Sequence, residues 1–241
     1  MNKKILISLS VIAAVAVIAI GVTMAYFSDQ ETSTGNTFTA GELDLRFQYE
    51  GGVPGPWTDV NGAPLFDGTT FPLNDLKPGD KGEKTVRLWV DDNPACGKVS
   101  INVTEDKDNS CTTPELVDDS TCVAPDTLGE LNDQVNFAVW LDPNCNNVLD
   151  VGETILVKGP ISGSKAYSIG ELPLTEANAK CYGFGYCFGV WYPDGTCSGT
   201  AVNNAAQTDS FKADIIIDAL QKRNQYDSGC PEIGDWPKPP E

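Results

Sequence analysis

The chain has 241 residues, 34 acidic and 16 basic side chains, no histidine and a formal net charge of −18. Such a balance repels nucleic acid and anionic membrane surfaces. With no histidine, neither an HExxH zinc motif nor a Ser-His or Cys-His nucleophile pair can form. The expectation is a protein that is not an enzyme, its acidity a solvated surface that keeps it soluble.

Lys3 and Lys4 precede an uncharged apolar run from Ile5 to Met24. Thr23-Met24-Ala25 places small residues where a signal peptidase would read them, so the cut falls between Ala25 and Tyr26. The run is also long enough to span a bilayer. Two readings therefore stand for residues 1–25, a cleaved signal peptide and a retained membrane anchor. A type IV pilin leader fits poorly, because no Glu occurs before Glu31. Removal of residues 1–25 takes away Lys3 and Lys4 and no acid, and residues 26–241 suffice for one large domain with a real core.

Beyond the leader, strand signals dominate. Thr37 to Tyr49 alternates, with Phe38, Ala40, Leu43, Leu45 and Phe47 as the apolar set and a phase slip at Gly41. Asn74 to Asp80 reads as a turn into a strand at Lys84–Asp91, where Val86, Leu88 and Val90 share a face. Lys98–Glu105 repeats the alternation, and 106–126 reads as an acidic, Cys-containing insert. Gln134–Leu141 is a further strand with Thr154–Lys158 as its hairpin partner. Glu171–Lys180 reads as a short helix or turn, Tyr186–Tyr192 as an aromatic strand, and Asp214–Gln221 as a buried one. The Pro-rich tail from Trp236 should be extended. Many strands separated by turns, with no long helical pattern, predict an all-β fold, a jelly-roll-like β-sandwich with short helices in its loops. The boundaries are 37–228 for the sandwich and 229–241 for the tail.

Eight cysteines, Cys96, Cys111, Cys122, Cys145, Cys181, Cys187, Cys197 and Cys230, stand behind an export signal and read as disulfides of undetermined pairing. Zinc is a weak rival, since no CxxC pair and no histidine are present. Between two expected strands, Asp142-Pro143-Asn144-Cys145-Asn146-Asn147-Val148-Leu149-Asp150-Val151-Gly152-Glu153 has the spacing of a twelve-residue calcium loop. Its ligands would be Asp142, Asn144, Asn146, the Val148 carbonyl, Asp150 and Glu153, with Asn147 at the sharp turn where glycine is usual. The competing reading is an Asx-rich hairpin turn.

Ala25-Tyr26-Phe27-Ser28-Asp29, followed by Asn36-Thr37-Phe38-Thr39-Ala40-Gly41-Glu42-Leu43-Asp44-Leu45, resembles the start of TasA/camelysin-type secreted proteins. Leu76-Lys77-Pro78-Gly79-Asp80, Asp92-Asn93-Pro94-Ala95 and Ala213-Asp214-Ile215 through Asn224 add weaker matches. The resemblance implies processing by a SipW-type signal peptidase, a jelly-roll sandwich, and assembly into extracellular fibres of a biofilm matrix. It makes the chain its own partner, beside other matrix proteins. In such fibres the segment 26–36, with Tyr26, Phe27, Ser28 and Asp29 at its head, would be donated as a strand to the next subunit. The Cys-rich insert and the Pro-rich tail depart from shorter family members. Two alternatives are a cell-surface adhesin, with Trp57, Trp89, Trp140, Trp191 and Trp236 as a binding surface, and a camelysin-like peptidase. The Asn102-Val103-Thr104 sequon is the remaining motif.

Overall fold

A computed structural model describes residues 43–50, 57–59, 65–66, 73–126, 128–163, 165–222 and 229–236. They lie in the second of two compact units, Gly41–Glu241. The leader, the cleavage junction Ala25-Tyr26 and the donor segment lie outside the described residues, as does the first part of the strand expected from Thr37.

Eleven described strands follow in chain order: β1 Asp44–Glu50, β2 Trp57–Asp59, β3 Lys81–Asp91, β4 Ala95–Lys107, β5 Val135–Leu141, β6 Ile155–Pro160, β7 Lys165–Leu172, β8 Lys180–Phe188, β9 Val190–Trp191, β10 Cys197–Ser198 and β11 Ser210–Gln221. One sheet has the order β2-β1-β3-β8-β5-β6, a second has β11-β4-β7, and β9 and β10 form a small ribbon. All pairings between these strands are antiparallel.

Alternation builds the main core. Val86, Leu88 and Val90 of β3 are fully buried, as expected from their shared face, and meet Val99 and Ile101 of β4, Phe137 and Val139 of β5, and Ile169 of β7. One cluster thus draws on both large sheets, which makes the architecture a β-sandwich. On β8 the two faces divide the labour. Tyr182, Phe184, Tyr186 and Phe188 enter the main core, while Gly183 and Gly185 leave room on the other face for the indoles of Trp140 and Trp191. A Cβ at Gly183 would run into Trp140, and one at Gly185 into Trp191. The two indoles, 6.1 Å apart, seed a second core with Ala138, Leu149 and Cys187.

The eight cysteines pair as Cys96–Cys230, Cys111–Cys122, Cys145–Cys181 and Cys187–Cys197, leaving none free. Three expectations change in detail. The aromatic strand starts at Lys180 rather than Tyr186 and stops at Phe188, because Gly189, at φ +134°, turns the chain into β9. Glu171 and Leu172 end strand β7, and only Glu176–Asn178 form the expected turn, a 3-10 helix. β7 itself escaped notice because Gly170, at φ +80°, and a register shift against β4 at Gly97/Lys98 break its period of two. The tail is held as far as Trp236, through Cys230 and through Lys98, whose ammonium lies 5.0 Å from the Trp236 ring.

Candidate functional site

The sheet order itself defines one site. In an eight-stranded jelly roll the second, seventh, fourth and fifth strands form one sheet, and the first, eighth, third and sixth form the other. Setting aside the short β2, β9 and β10, the eight long strands in chain order are β1, β3, β4, β5, β6, β7, β8 and β11. The larger sheet contains β3-β8-β5-β6, the first of those sets, and the smaller has β11-β4-β7, the second set without its first strand. β1 pairs with β3 instead, with Leu45 opposite Val90 and Phe47 opposite Leu88. Among the described residues no strand pairs with the outer edge of β11. Burial follows the same line. On β4, Val99 and Ile101 are sealed, whereas their partners Ile217 and Ile215 on β11 are only half-buried, and Ile216 on the other face is 39% exposed.

The loop between β5 and β6 is the expected calcium loop. Cys145–Cys181 pins it to β8, and Leu149 anchors it in the second core. Asn147 has φ +64°, the left-handed conformation anticipated for it. Asp142 is fully buried, and its carboxylate accepts from the Thr85 hydroxyl and from the backbone N–H groups of Asn146 (3.3 Å) and Asn147 (3.4 Å). Asp150 Oδ2 accepts from the amides of Asn144 (2.9 Å) and Asn146 (2.8 Å), and these hydrogen bonds hold its carboxyl below the usual range. Glu153 accepts from the Asp150 backbone N–H at 2.9 Å, and burial pushes its carboxyl up. Val148 donates its N–H to Asn146 Oδ1 at 2.9 Å. Each carboxylate thus has its own partners. Among the described residues, the acidic sets close enough to share one ion do not include Asp142, Asp150 and Glu153.

A second acidic group was not singled out from the sequence. Asp106 and Asp108 lie at the end of β4 and just past it, Glu115 opens the one-turn helix Glu115–Asp118, Asp119 ends it, Glu130 precedes the one-turn helix Leu131–Gln134, and Asp209 leads into β11. Gly129 packs its Cα against the Lys107 carbonyl, where a Cβ would collide, and so brings Glu130 back to the end of β4. The Asp108, Glu115 and Asp209 carboxylates lie within 4.8 Å of one another, as do those of Asp108, Asp119 and Glu130. Asp108 is 1% exposed and Glu115 0%. Burial, reinforced by the neighbouring carboxylates, raises Glu130 to about 7 and Asp209 to about 8. Burial also raises Asp106, against a hydrogen bond donated by the Asn132 amide.

Of the other expected features, Tyr26, Phe27, Ser28 and Asp29 lie outside the described residues. Trp89, Trp140 and Trp191 are buried, so they serve the packing rather than a binding face. Among the described residues no helix is long and apolar enough to cross a membrane.

A family model described as camelysin metallo-endopeptidase matches residues 1–111. No curated protein matches the chain. The family description implies a catalytic metal, and the described residues do not fit one. Catalytic zinc takes histidine, cysteine and carboxylate ligands with an open position for water. This chain has no histidine, and its cysteines are all in disulfides. Every acidic set near enough to share an ion, among the described residues, contains Asp108, which is closed to a peptide substrate. The match covers the leader, the Tyr26-Phe27-Ser28-Asp29 segment and the strands through β4, the blocks that carried the strongest resemblance. Over residues 1–111 the chain is similar to the camelysin family.

Proposed function

We propose that this protein is an exported structural subunit that polymerises head-to-tail into extracellular fibres of a biofilm matrix. Residues 26–36 of one copy would supply the strand that the next copy lacks beside β11. The observation that carries this reading is the sheet order β11-β4-β7, which among the described residues is a jelly-roll sheet short of its first strand. An unpaired edge leaves backbone N–H and C=O groups free to pair with an extended segment. The half-buried row Phe211, Ala213, Ile215 and Ile217 offers that segment apolar contacts. A contact between two different surfaces does not close on itself and therefore propagates as a filament.

Tyr26 and Phe27 would be the apolar anchors of the donor. A SipW-type signal peptidase would free the donor by cutting after Ala25, so processing would gate assembly. The role is structural and not enzymatic; the absence of histidine from the whole chain supports this. Electron microscopy of the mature chain, with mass spectrometry of its N-terminus, tests the reading. Filaments built from chains that begin at Tyr26, and monomers from chains lacking residues 26–34, are the expected result. Monomeric mature chains under the same conditions, or normal filaments without residues 26–34, would overturn it.

A further inference from the structure

The acidic group around Asp108 has more carboxyl oxygens than the protein around it satisfies. In three of its carboxylates one oxygen is taken and the other is left over. Glu115 Oε2 accepts from the Thr112 backbone N–H at 2.9 Å, and Glu115 Oε1 has no partner. Asp209 Oδ2 accepts from the backbone N–H groups of Glu130 (2.7 Å) and Leu131 (3.1 Å), and Asp209 Oδ1 has none. Asp106 Oδ2 accepts from Asn132 at 2.5 Å, leaving Asp106 Oδ1. Asp108 Oδ1 and Glu130 Oε2 are buried and unpartnered as well. None of the ion pairs among the described residues reaches any of these acids. Buried polar atoms are almost always satisfied, and a buried carboxylate without a partner is far more costly than a neutral group. Carboxylate oxygens of Asp108, Glu115 and Asp209 meet within 4.8 Å of one another, and the Asp108 and Glu115 side chains are almost wholly buried.

We propose that this cluster is a structural calcium site, with the ion seated against Asp108, Glu115 and Asp209, and with Asp119 and Glu130 beside it. The donor set selects the ion. It is all oxygen and mostly carboxylate, which suits a hard cation that takes six to eight oxygens in flexible geometry. Soft and borderline metals prefer nitrogen and sulfur. The nearby Cys111 and Cys122 are bonded to each other and have no thiolate to offer. Magnesium demands near-octahedral geometry and gives up its waters reluctantly.

The ion would join three separate stretches of chain: the end of β4 through Asp108, the disulfide-closed insert through Glu115, and the approach to β11 through Asp209. Hydrogen bonds already latch the same pieces together. The Asn109 amide donates to the Thr208 carbonyl (2.7 Å) and the Ser210 hydroxyl (2.9 Å), and Asp118 accepts from the Asn204 backbone N–H (2.9 Å). The inference does not rest on fibre formation, since a single chain contains the whole site.

The test is calorimetric titration of the exported full-length chain, stripped with a chelator, with calcium chloride, beside thermal unfolding in calcium or chelator. Wild type should release or take up heat and show a Tm that rises with calcium concentration. Glu115→Gln/Asp209→Asn should bind calcium at least about tenfold more weakly. Asp150→Asn/Glu153→Gln, in the β5–β6 loop, should keep that binding. In chelator at pH 9, above the raised value of Asp209, the Glu115→Gln/Asp209→Asn chain should unfold at a higher temperature than wild type, because buried carboxylates that repel one another are gone. In calcium that order should reverse. No heat and no Tm shift at millimolar calcium would overturn the site, as would undiminished binding in Glu115→Gln/Asp209→Asn. A larger Tm shift with magnesium chloride than with calcium chloride would overturn the choice of ion.

Discussion

The β5–β6 loop and the insert that follows β4 are both acidic, and the fold treats them in opposite ways. In the loop, Asp142 faces a hydroxyl and two backbone N–H groups, Asp150 two side-chain amides, and Glu153 a backbone N–H. Around Asp108, carboxylates face one another with oxygens to spare. The difference teaches that the density of acids along a chain says little about where a cation is needed. What matters is whether burial leaves a carboxylate with an oxygen that nothing else satisfies.

The comparison can be broken or sharpened, beginning with the largest expected effect. Each region is closed by its own bridge. Replacing Cys145 and Cys181 with Ser should lower stability by about 3–4 kcal/mol, and replacing Cys111 and Cys122 by about 2–3 kcal/mol, since the first closes the longer loop. Urea denaturation measures both, and the opposite order would mean that the insert depends on its bridge more than on its polar contacts.

Asp142→Ala should cost about 2–3 kcal/mol in the same measurement, because it strands a buried hydroxyl and two N–H groups. An effect near zero would show that the loop is held by Leu149 and its disulfide alone.

Asp150 and the group around Asp108 should also respond to pH with opposite sign when a chelator is present. The raised pKa values of Glu130 and Asp209 mean that the folded state holds their protons more tightly than the unfolded chain does. Their contribution to stability should therefore fall as pH rises from near 4 through about 7 to about 8. Asp150 is shifted down, so its contribution is present above its usual value of 3.8 and is lost as pH falls through the lower folded value. Thermal unfolding followed from pH 3 to 9 reads both arms. Stability that rises between pH 5 and 8 in chelator would contradict the electrostatics described around Asp108.

The smallest effect belongs to Asp150→Asn. The group is solvent-facing and its partners are amides that can reorient, so the urea midpoint should stay close to that of wild type. A larger loss would show that the loop relies on that carboxylate.

Much of the sandwich was legible in the sequence because its strands alternate cleanly. Val86, Leu88 and Val90, then Phe137 and Val139, repeat at a spacing of two, and the structure buries all five. β7 was not legible, because Gly170 and the shift against β4 interrupt that spacing. Asn147 was legible as a left-handed turn residue, since few other side chains tolerate that conformation. The disulfide pairing was not, because spacing along the chain does not report which strands become neighbours. The cluster around Asp108 was hidden for the same reason. Asp209 is remote in sequence from Asp108, and only the pairing of β11 with β4 brings them together. The one available hint was that the insert is poor in basic residues, and that alone does not separate a solvated loop from a buried site. The outer edge of β11, with which no described strand pairs, likewise appears only when the order of strands is known.

The Cys96–Cys230 bond has a mechanical consequence. β11 is paired along its whole length with β4, from Ser210 opposite Lys107 to Gln221 opposite Ala95, and Cys96 sits at the end of that ladder. The bond ties the chain that leaves β11 back to the strand beside it. A tensile load entering through β11 would therefore be shared in shear across the ladder. If the ladder yielded, the strand would extend only as far as the covalent ring allows. A filament built on this edge would give under tension before it parted.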